Sequence, residues 1–460
     1  RGLAGFGLHH VGFPPLASWS FQANDESKAL TKGAENAQES VEILPLLSAP
    51  RAKSVLLVET KGQLDSAILE LASGAGPFAV DAERASGFKY SQRAYLIQIH
   101  RRGGPIFLID PIAVSHSEES NSDATSFAEL RSVLSQAPWI LHAASQDLPC
   151  LRELGLEAPE LFDTELGSRI AGVPRVGLGA VTEHFLKLRL AKEHSAVDWS
   201  TRPMHQDWLN YAALDVDVLH ELWDALSDEL ESQGKIAWAK AEFAFILNAP
   251  PKPPKTEKWR STTGLNEVKD QRGLAIARSL WEARERLAMK LDVSPGRLIP
   301  DSSISTLAKN PVATRPELAS NRSFVGRASR SYLDTWWAAL QEAQNTRDLP
   351  PLRLPQTGIP NHRVWANRFP DANARLQALK PAIGSIAEEV SIPLENLLTP
   401  DFLRQLAWEP PADITAQSVA SFLSALGARD WQVNLVCEAL AEALTKDPQE
   451  LAKSKELDPS

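Results

Sequence analysis

Apolar residues in the first half of the chain recur in patterns that predict a sheet with helices packed on it. Short apolar runs at 54–58, 77–82, 94–100 and 105–110 have the length of strands, and residues 61–72 have helical spacing. Another strand begins at Trp139, and mostly helical periodicity follows to about residue 247. Strands first, followed by alternating strands and helices, predict a mixed α/β sheet.

The second half is almost wholly helical and contains an internal repeat. Leu287-Ala288 and Leu307-Ala308 recur as Ile386-Ala387 and Leu406-Ala407, in both cases 99 residues later. The proline-rich stretch 248–255 precedes the repeat and predicts an extended linker. The expected organisation is a flexible lead at 1–50, a catalytic domain at 51–247, a linker at 248–268, helical domains at 269–350 and 358–447, and a flexible tail at 448–460.

Composition places the chain in a broad class. Its 460 residues are enough for two to four domains with real cores. Cys150 and Cys437 are the only cysteines, which argues against a disulfide framework and favours a reducing compartment. No apolar stretch is long enough to span a bilayer, and the first twenty residues lack the features of a signal peptide. We therefore expect a cytoplasmic protein with no membrane partner.

A pair of carboxylates lies at the end of a strand that is otherwise apolar. Asp81 and Glu83 are two residues apart in the run 76–83, so both side chains point to the same face of the strand. Ionised carboxylates side by side repel each other and are costly to desolvate unless cations neutralise them. The pair therefore predicts a site for divalent metal.

Further candidate residues follow along the chain. Tyr211 and Asp215 are four apart in a helical stretch and share one face of it, whereas Asp217 points elsewhere and is expected to be solvated. Asp147 is expected in the first turn of a helix, where a carboxylate suits the helix dipole. Asp163 is predicted to cap the helix that begins at Thr164 rather than to bind metal.

The stretches around these residues resemble ribonuclease D, the tyrosine-bearing branch of the DEDD 3′-to-5′ exonucleases. The sister branch carries a histidine five residues before the last aspartate, where this chain has Asn210. The stretch from Leu280 to Pro311 resembles the HRDC helical module, and the second copy of the repeat is a more diverged module of the same type. The stretches that resemble the nuclease are Val80-Asp81-Ala82-Glu83, Leu96-Ile97-Gln98-Ile99, His142-Ala143-Ala144-Ser145-Gln146-Asp147-Leu148, Phe162-Asp163-Thr164, Asp198-Trp199-Ser200-Thr201-Arg202-Pro203 and Tyr211-Ala212-Ala213-Leu214-Asp215-Val216.

This resemblance implies a fold and an activity. The fold is a ribonuclease-H-like mixed-sheet exonuclease domain followed by two all-α HRDC-like bundles, and the activity is metal-dependent hydrolysis of terminal nucleotides from RNA with a free 3′ end. It implies a role in the 3′ processing of tRNA or other stable RNA, and we expect a monomer. Tyr211 would orient the attacking water. The residues implied to hold two Mg²⁺ or Mn²⁺ ions are Asp81, Glu83, Asp147 and Asp215.

The formal net charge of −10 makes local cations important for binding a polyanion. The resemblance favours Arg84 and Arg202 as residues near the site, and Phe88, Tyr90 and Trp199 are candidates for stacking on terminal bases. Further candidates for phosphate contacts are Lys89, Arg93, Lys187, Arg189 and Lys192.

Other functions are compatible with parts of this pattern. A DNA exonuclease of the same superfamily would share every site residue, because recognition of the ribose 2′-hydroxyl is not visible in a sequence. A non-catalytic RNA-binding scaffold is disfavoured because all four carboxylates and the tyrosine are present. The proofreading domain of a polymerase is disfavoured because the rest of the chain consists of helical repeats.

Overall fold

The computed structural model describes residues 44–117, 127–191, 197–251, 253, 256–324, 326–355 and 358–446. A six-stranded mixed sheet has the order β2-β5-β4-β3-β6-β7, and only β4 among these strands runs antiparallel to its neighbours. A second, two-stranded sheet pairs β1 with β8. The strands are β1 Leu46–Leu47, β2 Val55–Val58, β3 Phe78–Arg84, β4 Ala94–Arg101, β5 Ile106–Ile109, β6 Trp139–Leu141, β7 Leu161–Asp163 and β8 Arg189–Leu190.

Helices cover the sheet and close the catalytic domain. Long apolar runs in β4 and β5 are fully buried, as expected of strands that are covered on both faces. The predicted mixed α/β architecture is therefore confirmed. The helices of this domain are α1 Lys61–Ser73, α2 Pro111–His116, α3 Ala128–Leu134, α4 Leu148–Glu153, α5 Thr164–Ile170, α6 Leu178–Leu186, α7 Gln206–Asp217, α8 Leu219–Ser232 and α9 Ile236–Leu247.

The rest of the described chain is helical, and the repeat is visible in its elements. The first bundle comprises α10 Gln271–Leu291, α11 Pro295–Leu298, α12 Asp301–Lys309, α13 Arg315–Ser320, α14 Arg327–Ser331 and α15 Leu333–Asn345. The second comprises α16 Trp365–Arg368, α17 Pro370–Glu389, α18 Leu394–Leu397, α19 Pro400–Trp408, α20 Ala416–Ala425 and α21 Asp430–Thr445. Helices α17, α18 and α19 begin 99 residues after α10, α11 and α12, respectively, so the predicted repeat extends to whole helices.

Equivalent turns of the two bundles contact the catalytic domain. Asp292 and Ser391, which are 99 residues apart, both have left-handed backbone conformations just after the long helix of their bundle. Asp292 accepts a hydrogen bond from the Ser91 amide. The carbonyl of Ser391 lies so close to Gly172 that a Cβ at that glycine would be 2.5 Å from it. The repeat therefore provides the same docking turn twice.

The second bundle shares one continuous apolar core with the catalytic domain, whereas the first has a core of its own. Trp431 stacks on Trp238 of α9 with ring centroids 5.2 Å apart. The buried carboxylate of Glu242 accepts hydrogen bonds from Arg429 at 2.5 and 2.6 Å and from the Trp431 indole at 2.9 Å. Removing one partner of such a buried pair is strongly destabilising, so α9 and α21 hold the two domains together.

Two of the predicted domain boundaries need correction. Residues 44–50 are not a flexible lead, because Leu46 and Leu47 pair with β8; residues 1–43 lie outside the described residues. The linker ends earlier than predicted, because Trp259 and Leu265 are buried in the core of the first bundle. The predicted tail at 448–460 also lies outside the described residues. Within the described part of the chain, no helix is long and apolar enough to cross a membrane.

Candidate active site

Strand β3 carries the first two candidate carboxylates. Asp81 and Glu83 are both half-buried, and they alternate with Ala82, which is buried in the core. Asp81 pairs with Gln98 of β4, and the register shifts between Glu83 and Arg84. The shift ends the regular ladder directly after the pair, so both carboxylates lie where the strand leaves the sheet.

The turn after β6 positions Asp147 next to β3. Because β6 runs parallel to β3, the chain leaving β6 follows the same direction toward the carboxylate pair. Ala143 adopts a left-handed conformation with φ of 60°, and its amide and that of Ala144 donate to the Asp163 carboxylate at 3.0 and 2.9 Å. That carboxylate also caps α5 through the amides of Glu165 and Leu166. Asp163 therefore caps its helix as predicted and also holds the turn that leads to Asp147.

Asp147 differs slightly from its predicted position. It lies at the residue before α4 rather than inside the first turn, and its side chain makes no capping hydrogen bond to that helix. Its side chain is buried and lines the same cavity as Asp81. The carboxylate therefore faces the candidate site instead of satisfying the helix end.

Helix α7 packs across β3, β4 and β5 and brings the last candidates to the site. Tyr211 and Asp215 lie on the same face of it, as the sequence predicts. The prediction that Asp217 is solvated is wrong. It is only 6 % exposed, and it accepts hydrogen bonds from the amides of Arg51 and Ala52 and from the Arg51 guanidinium.

The carboxylates form one acidic cluster. Oxygen atoms of Asp81, Glu83 and Asp215 lie within 4.8 Å of one another, and all three line a cavity of about 450 Å³ with Asp147 and Arg84. Burial raises the pKa of Asp81 to about 6 and that of Asp147 to about 8. For Glu83 and Asp215, repulsion from the neighbouring carboxylates adds to burial and raises the pKa well above the usual range.

This cluster fits divalent cations. Carboxylate oxygens are the ligands that Mg²⁺ and Mn²⁺ prefer, and a cation would remove the repulsion that raises these pKa values. Arg84, the only lysine or arginine among the described lining residues, cannot neutralise four carboxylates, and burial lowers the pKa of the other basic lining residue, His142, to about 4. Bound cations would supply that charge.

Tyr211 lies close enough to the acidic cluster for the carboxylate charges to shift its pKa. Burial raises its pKa well above the ordinary value, and the charges of Asp215, Glu83 and Asp81 raise it further. A phenol that holds its proton this firmly is a poor base at neutral pH. Its hydroxyl is suited to orienting a water molecule.

Two of the predicted RNA-binding residues line the cavity. Arg84 is half-buried, and its positive charge offsets part of the rise that burial causes in the pKa of Asp81, Glu83 and Asp147. Phe88 is half-buried at the cavity wall. Both remain candidates for contacts with a phosphate and a base, respectively. Lys192 lies outside the described residues.

Trp199 is not placed for base stacking, and Tyr90 contacts the first helical bundle. Trp199 is 1 % exposed and packs edge-on against Trp208, so no base can reach its ring. Tyr90 packs against the core of the first helical bundle, and its hydroxyl is hydrogen-bonded to Glu285. The predicted contact of Trp199 is therefore replaced by a packing role, whereas that of the half-buried Tyr90 stays a prediction.

Arg202 is likewise engaged within the protein. Its guanidinium donates to the fully buried carboxylate of Asp110 and to the carbonyl oxygens of Trp199, Thr201 and Tyr95. These bonds tie the segment before α7 to the strand β4 and to the start of α2. The structure thus gives Arg202 a structural role in place of the predicted phosphate contact.

Gln98 is a residue at the site for which the sequence predicted no role. It is fully buried directly opposite Asp81, and both polar atoms of its amide lack a hydrogen-bond partner within the described residues. An unpaired buried amide is costly, and residues paired across a sheet share a face. The sequence feature that could have indicated a role for Gln98 is its position as the one polar residue in the otherwise apolar run Leu96-Ile97-Gln98-Ile99.

Comparison with known proteins agrees with this site. Residues 55–231 match the model of a 3′-5′ exonuclease domain, and residues 273–340 match that of the HRDC domain. Residues 358–444 match a separate model, a 3′ to 5′ exonuclease C-terminal domain. The second bundle repeats the helices of the first but matches a different family model.

The relatives decide the family. Ribonuclease D of Granulibacter bethesdensis is 32% identical over 286 residues, which cover 60% of this chain and 69% of the relative. The chain belongs to the ribonuclease D family. A crystal structure of a protein from Bifidobacterium adolescentis is 38% identical, with a TM-score of 0.78, and covers 88% of this chain and 100% of that one. Escherichia coli RNase D, at 24% identity, has the same fold with a TM-score of 0.60 over 85% of this chain and 98% of that one.

Metal binding by this ribonuclease D site is expected to depend on pH. In the metal-free protein the raised pKa values of Asp81 and Asp147 mean that the folded state keeps protons that the unfolded state releases. Their contribution to the free energy of unfolding is fully present below the ordinary pKa of 3.8 and is lost as pH rises from there through about 6 for Asp81 and about 8 for Asp147. The free-energy cost of displacing each proton with a cation falls by about 1.4 kcal/mol per pH unit until pH reaches the pKa of that carboxyl, so between pH 6 and pH 8 the change comes mainly from Asp147.

Thermal unfolding with Mg²⁺ and with EDTA measures this effect. We expect Mg²⁺ to raise Tm more at pH 8 than at pH 6. In Asp147→Asn, this difference between the two pH values should be smaller. An equal rise at both pH values would contradict the displacement of protons by the metal.

Proposed function

We propose that this protein is a metal-dependent 3′-to-5′ exoribonuclease that hydrolyses terminal nucleotides from RNA with a free 3′ end. The observation that carries the proposal is the cluster of Asp81, Glu83 and Asp215 oxygens within 4.8 Å, in a cavity shared with Asp147. Membership of the ribonuclease D family supports RNA as the substrate.

The roles that we propose follow from the positions of the residues. Asp81, Glu83, Asp147 and Asp215 hold two divalent cations, Mg²⁺ or Mn²⁺. When bound, these ions supply an activated water and neutralise the leaving 3′ oxygen. Tyr211 keeps its proton and fixes the position of the water through its hydroxyl.

The remaining cavity wall provides contacts for the RNA. Arg84 lines the cavity and offers a guanidinium to a phosphate of the RNA. Phe88 offers an aromatic face at the cavity wall. Base stacking on such a ring is worth about 1–3 kcal/mol and does not depend on the base, which suits an enzyme that removes successive nucleotides.

The physiological role that we propose is the 3′ processing of tRNA or other stable RNA. It is supported by the family resemblance of the whole catalytic domain. A cytoplasmic location and a monomeric state stay predictions.

A side-by-side trimming assay tests the proposal. RNA and DNA of one sequence, each with a 3′-hydroxyl or a 3′-phosphate, are incubated with Mg²⁺ or with EDTA. We expect stepwise shortening of 3′-hydroxyl RNA in Mg²⁺, inhibition by the 3′-phosphate and by EDTA, and no effect of a 5′ block. Full-speed trimming in EDTA would exclude the metal mechanism, and preference for DNA would favour the DNA exonuclease instead.

A further inference from the structure

The first helical bundle, the HRDC domain, is docked on part of the wall of the catalytic cavity. We call residues 86–92, between β3 and β4, the site loop, because Ser86, Gly87 and Phe88 line the cavity. The amide of Ser294 donates to the Phe88 carbonyl at 2.9 Å. The carboxylate of Asp292, just after α10, accepts a hydrogen bond from the Ser91 amide at 2.9 Å. The HRDC domain therefore binds the backbone of a loop that forms the site.

Arg297 of the same domain reaches the part of the loop that faces the cavity. Its Nε donates to the Gly87 carbonyl at 2.8 Å, and its guanidinium carbon lies 4.0 Å from the centre of the Phe88 ring. The side chain is exposed, and within the described residues it makes no ion pair. Because an arginine has five N–H donors, most of its donors are available to a ligand.

The surroundings favour a phosphate as that ligand. The cavity carries four carboxylates, and Arg84 is the only lysine or arginine among its described lining residues. An RNA strand that enters this acidic cavity needs cations along its path, since phosphate contacts dominate nucleic-acid binding. A guanidinium held over an aromatic ring and anchored through its Nε is restricted in orientation, which favours contact of its remaining donors with a phosphate.

We propose that Arg297 binds a phosphate of the RNA strand upstream of its 3′ end, so that the HRDC domain supplies a substrate-positioning residue to the exonuclease site. This inference rests on the proposed function. It makes the HRDC domain part of the site for every RNA that is long enough to reach Arg297, whether or not the RNA is structured.

The test compares three variants of the full-length protein. Arg297→Gln removes the charge. Asp292→Ala weakens docking of the site loop and leaves Arg297 in place. Arg347→Gln is the matched control, because this exposed arginine follows α15, where its neighbours contact Arg272 and Arg278 near the opposite end of α10.

For each variant, KM and kcat are measured on a two-nucleotide and an eight-nucleotide RNA, and binding of the longer RNA is measured by fluorescence anisotropy at several salt concentrations. Arg297→Gln should weaken binding and raise KM for the longer RNA about tenfold, as expected for a hydrogen bond to a charged group. The salt slope should fall by about 0.7, the value for one phosphate contact in a single strand. For Arg297→Gln, KM for the two-nucleotide RNA and kcat for both RNAs should stay at the wild-type values. Arg347→Gln should match wild type in every measurement.

Other results would overturn the inference. If Arg297→Gln matches Arg347→Gln in KM and salt slope, Arg297 does not contact the RNA. If Arg297→Gln instead matches Asp292→Ala and slows the hydrolysis of both RNAs equally, Arg297 serves only to dock the site loop. A wild-type protein that fails to trim RNA contradicts the proposed function, whereas the binding measurements still decide the role of Arg297.

Discussion

Replacing Asp215 with asparagine is expected to lower the rate of RNA hydrolysis by at least about 10³-fold while the protein stays folded. Asp215 belongs to the acidic cluster, and its carboxylate lies within 4.8 Å of the Asp81 and Glu83 oxygens. The neutral amide removes a metal ligand from the cluster. It also removes a charge that the other carboxylates repel, so the metal-free variant should unfold at a higher Tm than the metal-free parent. Single-turnover trimming and thermal unfolding in EDTA measure the two effects.

Asp217→Asn is the matched control, two residues along the same helix. Asp217 is buried and bound to Arg51, outside the acidic cluster. Its variant should keep the hydrolysis rate but lose about 1–3 kcal/mol in the free energy of unfolding, as expected for a broken buried hydrogen bond. The two variants thus have opposite phenotypes. Wild-type turnover by Asp215→Asn, or loss of turnover by Asp217→Asn without unfolding, would contradict the assignment of the cluster.

Tyr211→Phe is expected to reduce kcat by about 10²-fold, the usual scale for a positioned group that handles a proton or a water. Phenylalanine keeps the ring and its packing on α7 and removes only the hydroxyl. Metal affinity should stay unchanged, because the carboxylates are intact. Measuring kcat in saturating Mg²⁺ and metal affinity by titration separates Tyr211 from the metal ligands.

The pH dependence of the same variant distinguishes positioning from base catalysis. Burial and the nearby carboxylates raise the pKa of Tyr211 far above neutral pH, so the phenol stays protonated throughout the range of an assay. The pH profile of wild type and Tyr211→Phe should therefore have the same shape at different heights. An alkaline limb that disappears in Tyr211→Phe would show that the hydroxyl acts as a base, and unchanged turnover would remove it from the mechanism.

Local patterns predicted much of this protein because they depend only on neighbouring residues. Alternation along β3 placed Asp81 and Glu83 on one face, and helical spacing did the same for Tyr211 and Asp215. The offset of 99 residues between the helical bundles was visible as paired leucines and alanines, and it holds for whole helices. The catalytic roles of the site residues stay predictions, while the convergence of the four carboxylates in one cavity is a property of the fold.

Residues that bind distant partners could not be assigned in the same way. Asp217 was expected to be solvated, but it binds Arg51, which is 166 positions away in the chain. Arg202 was expected at the RNA, and its guanidinium instead binds Asp110, which is 92 positions away. A sequence shows that such groups are charged, but burial depends on which elements pack over them.

By itself, the sequence determined the strands, the helices, the repeat and the family to which its acidic residues point. Tertiary structure alone decided which charged and aromatic side chains remain open to a ligand. The tertiary structure buries Trp199 and leaves Phe88 at the cavity wall. It also places the guanidinium of Arg297, from another domain, over the Phe88 ring. The physical reason is that periodicity fixes the direction of a side chain on its own element, whereas its exposure and partners are set by the docking of elements far apart in the chain.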